Sequence, residues 1–156
     1  MRVRDTMTRS VMYVSPDDTL DEAYDLMLSQ EIRHLPVVEG TTLVGVISDR
    51  DVLLHATMEE GVVTVPQIAV SEAMTRDPVT CDTRASIAQA ATLMIENKIS
   101  CLPVTAVGEL IGMVTSTDLL DVLCRERGES GVQHLPFKFN LSRFPGRSTA
   151  QAKPWS

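Results

Sequence analysis

Gly45-Val46-Ile47-Ser48-Asp49-Arg50-Asp51 reads as a strand that ends in a helix start, and it has a copy at Gly112-Met113-Val114-Thr115-Ser116-Thr117-Asp118. Each copy is a glycine, two apolar residues, a hydroxyl residue, two variable positions and an aspartate. Leu43-Val44 and Leu110-Ile111 precede the copies, so each motif closes a short buried strand. Ser48 and Thr115 suit a helix N-cap, where a side-chain oxygen accepts from the free amides of the first turn. Asp51 and Asp118 fall three residues later, in that same turn. The strand thus brings a hydroxyl, a carboxylate and unpaired backbone N–H groups to one spot. Such a spot suits a sugar diol beside a phosphate, because amides and helix dipole favour the anion and the carboxylate accepts from hydroxyls. The same residues also make plain helix caps with no ligand present.

The duplication extends well beyond the motif. Comparing each residue with the one 67 positions later pairs Met7 with Met74, Ala23 with Ala90, Met27 with Met94, Leu35-Pro36-Val37 with Leu102-Pro103-Val104, and Asp51 with Asp118. Between 3–53 and 70–120, 15 of 51 positions are identical without a gap, against roughly three expected from average residue usage. Tandem units of this kind bury faces against one another.

Each unit predicts the same series of elements. Val3–Thr8 and Val70–Thr75 lead in, and Tyr13-Val14 and Val79-Thr80-Cys81 suit a first strand. Thr19-Leu20-Asp21-Glu22 and Ser86-Ile87-Ala88-Gln89 fit capping boxes that open helices. Leu20, Ala23, Tyr24 and Met27 share one helix face, as do Ile87, Ala90, Ala91 and Met94. A strand with an internal proline follows, at Ile32–Val38 and Ile99–Thr105, which predicts an edge or irregular strand. The second helices are expected to use Val52, Leu53 and Ala56, and Leu119, Leu120, Val122 and Leu123, as their apolar positions. The order is strand, helix, strand, strand, helix. Between the units, the apolar run Val62–Val65 is expected to pack locally.

At 156 residues the chain suits one compact domain or two intimate half-domains. An apolar share of 44% sustains a core, and 22% charged residues favour solubility. The apolar runs are too short to span a bilayer, and Met1–Asp5 leads into the first unit with no hydrophobic signal region. Cys81, Cys101 and Cys124 are odd in number and widely spaced, which fits reduced thiols in a cytoplasmic protein rather than a disulfide frame or a zinc site. A net charge of −7 argues against general nucleic-acid binding.

Residues 128–156 carry no third copy. Lys138, Arg143, Arg147 and Lys153 stand there against Glu129, a net +3 that leaves −10 on the first 127 residues. All three Phe residues and the only Trp lie in this segment. Its glycines and prolines oppose a long helix, while His134 to Leu141 alternates weakly and fits an extended strand. Four large aromatics are unusual for a free disordered tail. The segment is expected to dock on its own body, on a twin subunit or on a partner.

The two units resemble the cystathionine-β-synthase (CBS) domain, and the tandem resembles a CBS pair, or Bateman module. The resemblance rests on Val3-Arg4-Asp5-Thr6-Met7-Thr8, the helix at Leu20–Met27, His34-Leu35-Pro36-Val37 and Gly45 through Asp51, with their copies. It covers residues 1 to about 124, and divides the chain into repeats at 1–60 and 61–127, with a connector at 61–69 and a tail at 128–156. It implies an α/β (α+β) fold of two βαββα repeats packed about a pseudo-twofold axis. It also implies a homodimer, a flat disc of four CBS repeats. Two clefts between the repeats would bind adenosine compounds: AMP, ADP or ATP, with S-adenosylmethionine and NADH as further candidates. Carried over by position, Asp51 and Asp118 would accept from ribose hydroxyls, and Ser48 and Thr115 would touch ribose or the first phosphate. Backbone around His34-Leu35-Pro36 and Cys101-Leu102-Pro103 would read the adenine edge. Val11, Ile32, Pro78 and Ile99 would be apolar walls.

The two clefts are expected to be unequal. Arg50 corresponds to Thr117, Arg33 to Ser100, and Glu31 to Lys98. A guanidinium grips phosphate bidentately and a threonine does not, so the Asp51 cleft is expected to prefer the more phosphorylated ligand. Arg9 and Arg76 also match between units and suit either phosphate contact or a solvated loop. The expected function is a stand-alone regulatory module, not an enzyme, that reports nucleotide state to a partner. The alternative is a homodimerisation scaffold with empty clefts and a partner-binding tail. His34 and Cys101 occupy equivalent positions, but no third residue orients a thiolate–imidazole pair, and no metal cluster or Gly-rich phosphate loop supports a hydrolase or transferase.

Overall fold

A computed structural model of the chain describes residues 1–126. The docking expected of segment 128–156 therefore lies outside the described residues. A 3-10 turn at Val3–Asp5 leads to α1 (Leu20–Gln30), β1 (His34–Glu39), β2 (Thr42–Ser48) and α2 (Asp49–His55). A hairpin of β3 (Thr57–Glu59) and β4 (Val62–Thr64) follows. The second unit runs through a 3-10 turn at Val70–Glu72, then β5 (Thr75–Arg76), β6 (Cys81–Asp82), α3 (Ile87–Asn97), β7 (Cys101–Ala106), β8 (Glu109–Thr115) and α4 (Ser116–Glu126). The expected first strand shrinks to a single bridge between Val14 and Val37 in the first unit, and to the two residues of β6 in the second.

The first helices start and stop as their sequences dictate. The Thr19 amide donates to the Glu22 carboxylate at 3.2 Å, and the Ser86 amide to the Gln89 side chain at 2.8 Å. Both helices end on a left-handed residue, Glu31 and Lys98, each at φ 55°. Leu20, Ala23 and Met27 on α1, with Ala90 and Met94 on α3, are buried. The expectation for the second helices needs correction. Val52 and Val122 are buried, but Leu53, Leu120 and Leu123 are exposed and belong to no core.

One sheet, ordered β1-β2-β8-β7-β6 with β5 also on β2, spans both units. β2 and β8 meet at the pair Thr42–Glu109. Pro36 sits inside β1 because that strand lies at the sheet edge, where a missing N–H costs no ladder bond. In the second half, pairing with β6 begins at Val104, one residue past Pro103.

The lead-in segments are exchanged between the units. Val3 is buried with Cys81, Ala90, Leu102 and Val114 of the second unit, and Val70 with Leu20, Met27, Leu35 and Ile47 of the first. The Val3 amide donates to the Ala85 carbonyl and the Val70 amide to the Asp18 carbonyl, both at 2.8 Å. β5 pairs with β2, and Thr8 bridges to Met113 of β8 in the same way. Sequence pattern alone assigns each segment to its own unit. Each instead completes the core of the other.

The β1–β2 turn places Gly40 at φ 63°, whereas the β7–β8 turn places Val107 at φ 53° and Gly108 at φ 81°. A two-residue hairpin of that form favours Asn-Gly, and a β-branched residue there is strained. Val107 is fully exposed, so nothing offsets the strain. Val107→Asn is expected to raise stability by about 1 kcal/mol, since Asn tolerates the left-handed region. Thermal unfolding should show a rise of about 2–4 °C.

Candidate functional site

The two motifs build matching corners. The Ser48 amide and hydroxyl both donate to Asp51 Oδ2, at 2.8 and 2.9 Å, and the Asp51 amide donates back to Ser48 Oγ at 3.2 Å. The Thr115–Asp118 distances are 2.7, 2.8 and 3.3 Å. One carboxylate oxygen is thus occupied by the cap. Among the described residues, no hydrogen bond reaches Oδ1 of either aspartate.

Register brings the other predicted residues to these corners. His34 lies opposite Ser48, and Cys101 opposite Thr115. The parallel bridges Val14–Val37 and Cys81–Val104 set Val14 and Cys81 alongside β1 and β7, with Val11 and Pro78 three residues ahead of them in the chain. Ile32 and Ile99 are half-buried, as are Val11 and Pro78. Leu35, Pro36, Leu102 and Pro103 are buried, so only their backbone is in question. The Pro36 carbonyl already accepts from the Val14 amide at 3.1 Å. With no N–H of its own, Pro36 must form a non-hydrogen-bonded pair with Val46, and alternation makes His34–Ser48 another. The N–H and C=O of His34 therefore face away from β2, past the end of the Val14 bridge. Cys101 repeats the pattern beside β8. Each corner thus combines a free carboxylate oxygen, a hydroxyl and an open backbone edge.

The exchanged segments also bring in residues that sequence reasoning missed. Thr75 lies opposite Val46, and Thr8 opposite Met113, on the strands that lead into Ser48 and Thr115. No signal within one repeat pointed to them, because each comes from the other repeat. The motif glycines had no assigned role either. A Cβ at Gly45 would sit 2.7 Å from Met74 Sδ and 2.8 Å from the Thr75 carbonyl oxygen. At Gly112 the corresponding distances are 2.8 Å to Met7 Sδ and 2.9 Å to the Thr8 oxygen.

The corners differ in charge. Arg33 Nε lies 3.1 Å from Asp49 Oδ2, and the Arg50 amide donates to Asp49 Oδ1 at 2.8 Å. Arg33 is thereby neutralised at the rim of a cavity of about 350 Å³ between α1 and α2, lined in part by Tyr24, Leu28 and Leu53. Arg50 makes no ion pair among the described residues. The second unit has Ser100, Ser116 and Thr117 at these positions. The Arg9 and Arg76 guanidinium groups donate to the Arg4 and Ser71 carbonyls at 3.1 and 3.3 Å, so they brace the lead-in turns alike in both units.

These groups do not make a nucleophile. Burial pushes the Cys101 thiol up to about 12, with the Asp118 carboxylate and Cys81 adding to the effect. Burial, then Asp82, pushes Cys81 up to about 11. Burial lowers the His34 imidazole, against the pull of the Asp49 carboxylate. The charges acting on His34 come from Asp49, Arg33, Asp51 and Arg50, not from Cys101. A protonated thiol and a neutral imidazole in separate corners are no catalytic pair. Among the described residues, no group of three or more metal-binding side chains converges, and no helix is long and apolar enough to cross a membrane.

Residues 3–57 and 70–125 each match the CBS domain family. The chain is 37% identical over 119 residues to the CBS domain-containing protein YhcV of Bacillus subtilis (strain 168), covering 75% of this chain and 81% of that one. It is 38% identical over 119 residues to the inosine-5'-monophosphate dehydrogenase of Korarchaeum cryptofilum (strain OPF8), covering 76% of this chain but 23% of the enzyme. The likeness therefore concerns a minor part of that enzyme. The fold is similar to that of CBSX2 of Arabidopsis thaliana, solved in complex with AMP, with a TM-score of 0.69, 28% identity, and coverage of 81% of this chain and 98% of that one. Two matched repeats, paired corners and a shared architecture lead to one conclusion: the chain belongs to the CBS domain family, as a tandem pair.

Proposed function

We propose that this chain is a regulatory module that binds an adenosine nucleotide, AMP, ADP or ATP, at its two corners and reports ligand state to a protein partner in the cytoplasm. The observation that carries the reading is the doubled box, in which Asp51 and Asp118 each keep one carboxylate oxygen free beside an open backbone edge. The free oxygen suits a ribose hydroxyl, the backbone edge of His34 or Cys101 suits a purine, and the hydroxyl suits ribose or the first phosphate. Similarity to CBSX2, which was solved with AMP, supports the same ligand class. Binding shifts a conformational balance only by its difference in affinity between the states, so the reporting requires two arrangements of the repeats.

A thermal scan with AMP, ADP, ATP, S-adenosylmethionine and NADH tests the reading. A ligand at 100 times its Kd should stabilise the fold by about 2.7 kcal/mol. No shift with any of the five would favour the scaffold instead. Because the Arg50 guanidinium makes no ion pair among the described residues, Arg50→Ala should weaken ATP and ADP about tenfold while changing adenosine little. Equal losses for all three would remove the inequality between the corners.

The reading includes a homodimer. Leu28 and Leu53 are exposed on α1 and α2, and their counterparts Ile95 and Leu120 are exposed on α3 and α4. An apolar face repeated in both units suits a second copy that buries both at once.

A further inference from the structure

We propose that residues 134–141 of this chain dock on the β3–β4 hairpin as its third strand. The hairpin lies outside the two segments that match the family, apart from its first residue. Every residue of both strands is exposed, including Met58 at 73% and Val63 at 44%. Its turn is tight, with Glu60 at φ 50° and Gly61 at φ 82°. A two-stranded hairpin standing alone is marginal in water, and a third strand with an apolar face is what makes such a unit stable.

Its geometry defines what fits. The two-residue turn makes Glu59–Val62 the closing hydrogen-bonded pair, so Met58–Val63 is a non-hydrogen-bonded pair. The side chains of Met58 and Val63 share one face, and their N–H and C=O groups point outward along the two edges. Glu59 shares the opposite face with its partner Val62, and Glu60 belongs to the turn. The complement is therefore an extended segment with alternating apolar side chains on one face and a cation on the other.

Residues 134–141 have that pattern. Leu135, Phe137, Phe139 and Leu141 fall on one face of an extended strand, with His134 and Lys138 on the other. The segment from 128 to 156 carries a net +3 against −10 for the rest of the chain. The exposed leucines on the helices are also apolar, but helices offer no open backbone groups to a strand. The hairpin edges do, and main-chain pairing with alternate side chains in register is the mode of strand addition.

Hydrogen–deuterium exchange on the full chain tests this. The Met58 or Val63 amide, whichever edge is taken, should exchange at least tenfold more slowly in the unaltered chain than in the Phe137→Asp/Phe139→Asp variant. Val63→Asp should in turn speed exchange across 134–141. Protection of α1 and α3 should stay unchanged in both variants, which are altered only at the hairpin and the segment. Hairpin exchange equally fast with and without the two phenylalanines, or segment exchange unmoved by Val63→Asp, would overturn the proposal.

Discussion

Alanine at Gly45 should lower the unfolding free energy by about 2–3 kcal/mol, within the range for overpacking a filled site. The added methyl would meet Met74 Sδ at 2.7 Å and the Thr75 carbonyl oxygen at 2.8 Å. The sulfur can swing aside on its flexible side chain. The carbonyl cannot, because Thr75 is held in the β2–β5 pairing. Relief therefore requires β5 to move off β2, and that movement draws Val70 out of the first unit's core. Gly112→Ala should act alike against Met7 and Thr8, and loosen Val3 from the second core. Urea unfolding should show a lower midpoint and one cooperative transition in each variant. Independent melting of a single repeat would contradict the exchange of lead-in segments.

Replacing both Asp51 and Asp118 with Asn should weaken AMP by roughly 10–100-fold, the loss expected when a hydrogen bond to a charged group goes. Asn keeps the volume but supplies one neutral acceptor, and that acceptor is claimed by Ser48 or Thr115 as in the native caps. The ribose is left with an amide N–H₂ where it needs an acceptor. Each single variant should remove one of two sites and leave the other near its original affinity. Weaker capping also lowers stability, by about 1 kcal/mol per site. Calorimetric titration well below the unfolding temperature separates the two effects.

Much of the fold is legible in the residues. Helix starts follow from Thr19/Glu22 and Ser86/Gln89, strand ends from the motif, and the pairing of repeats from identities at constant spacing. The corners were legible too, since Ser48/Asp51 and Thr115/Asp118 form caps whatever else they do. The exchange of Val3 and Val70 was not legible. Both residues occur at the same place in near-identical repeats, so pattern alone gives the same answer for either partner, and only the observed pairing decides it. Leu53, Leu120 and Leu123 failed for a different reason. Their spacing is helical, but an apolar stripe left exposed looks the same in sequence as one turned inward. The hairpin was read as a local apolar run because the turn at Glu60-Gly61 lacks the usual asparagine or aspartate in first place.

The most direct test of the central claim is an amide chemical-shift map of the full chain during titration with AMP. The account predicts that Ser48, Asp51 and His34, with Thr115, Asp118 and Cys101, move together and saturably, while Leu28 and Leu53 at the outer groove stay in place. Saturable shifts confined to that groove, with all six corner amides unmoved, would contradict it.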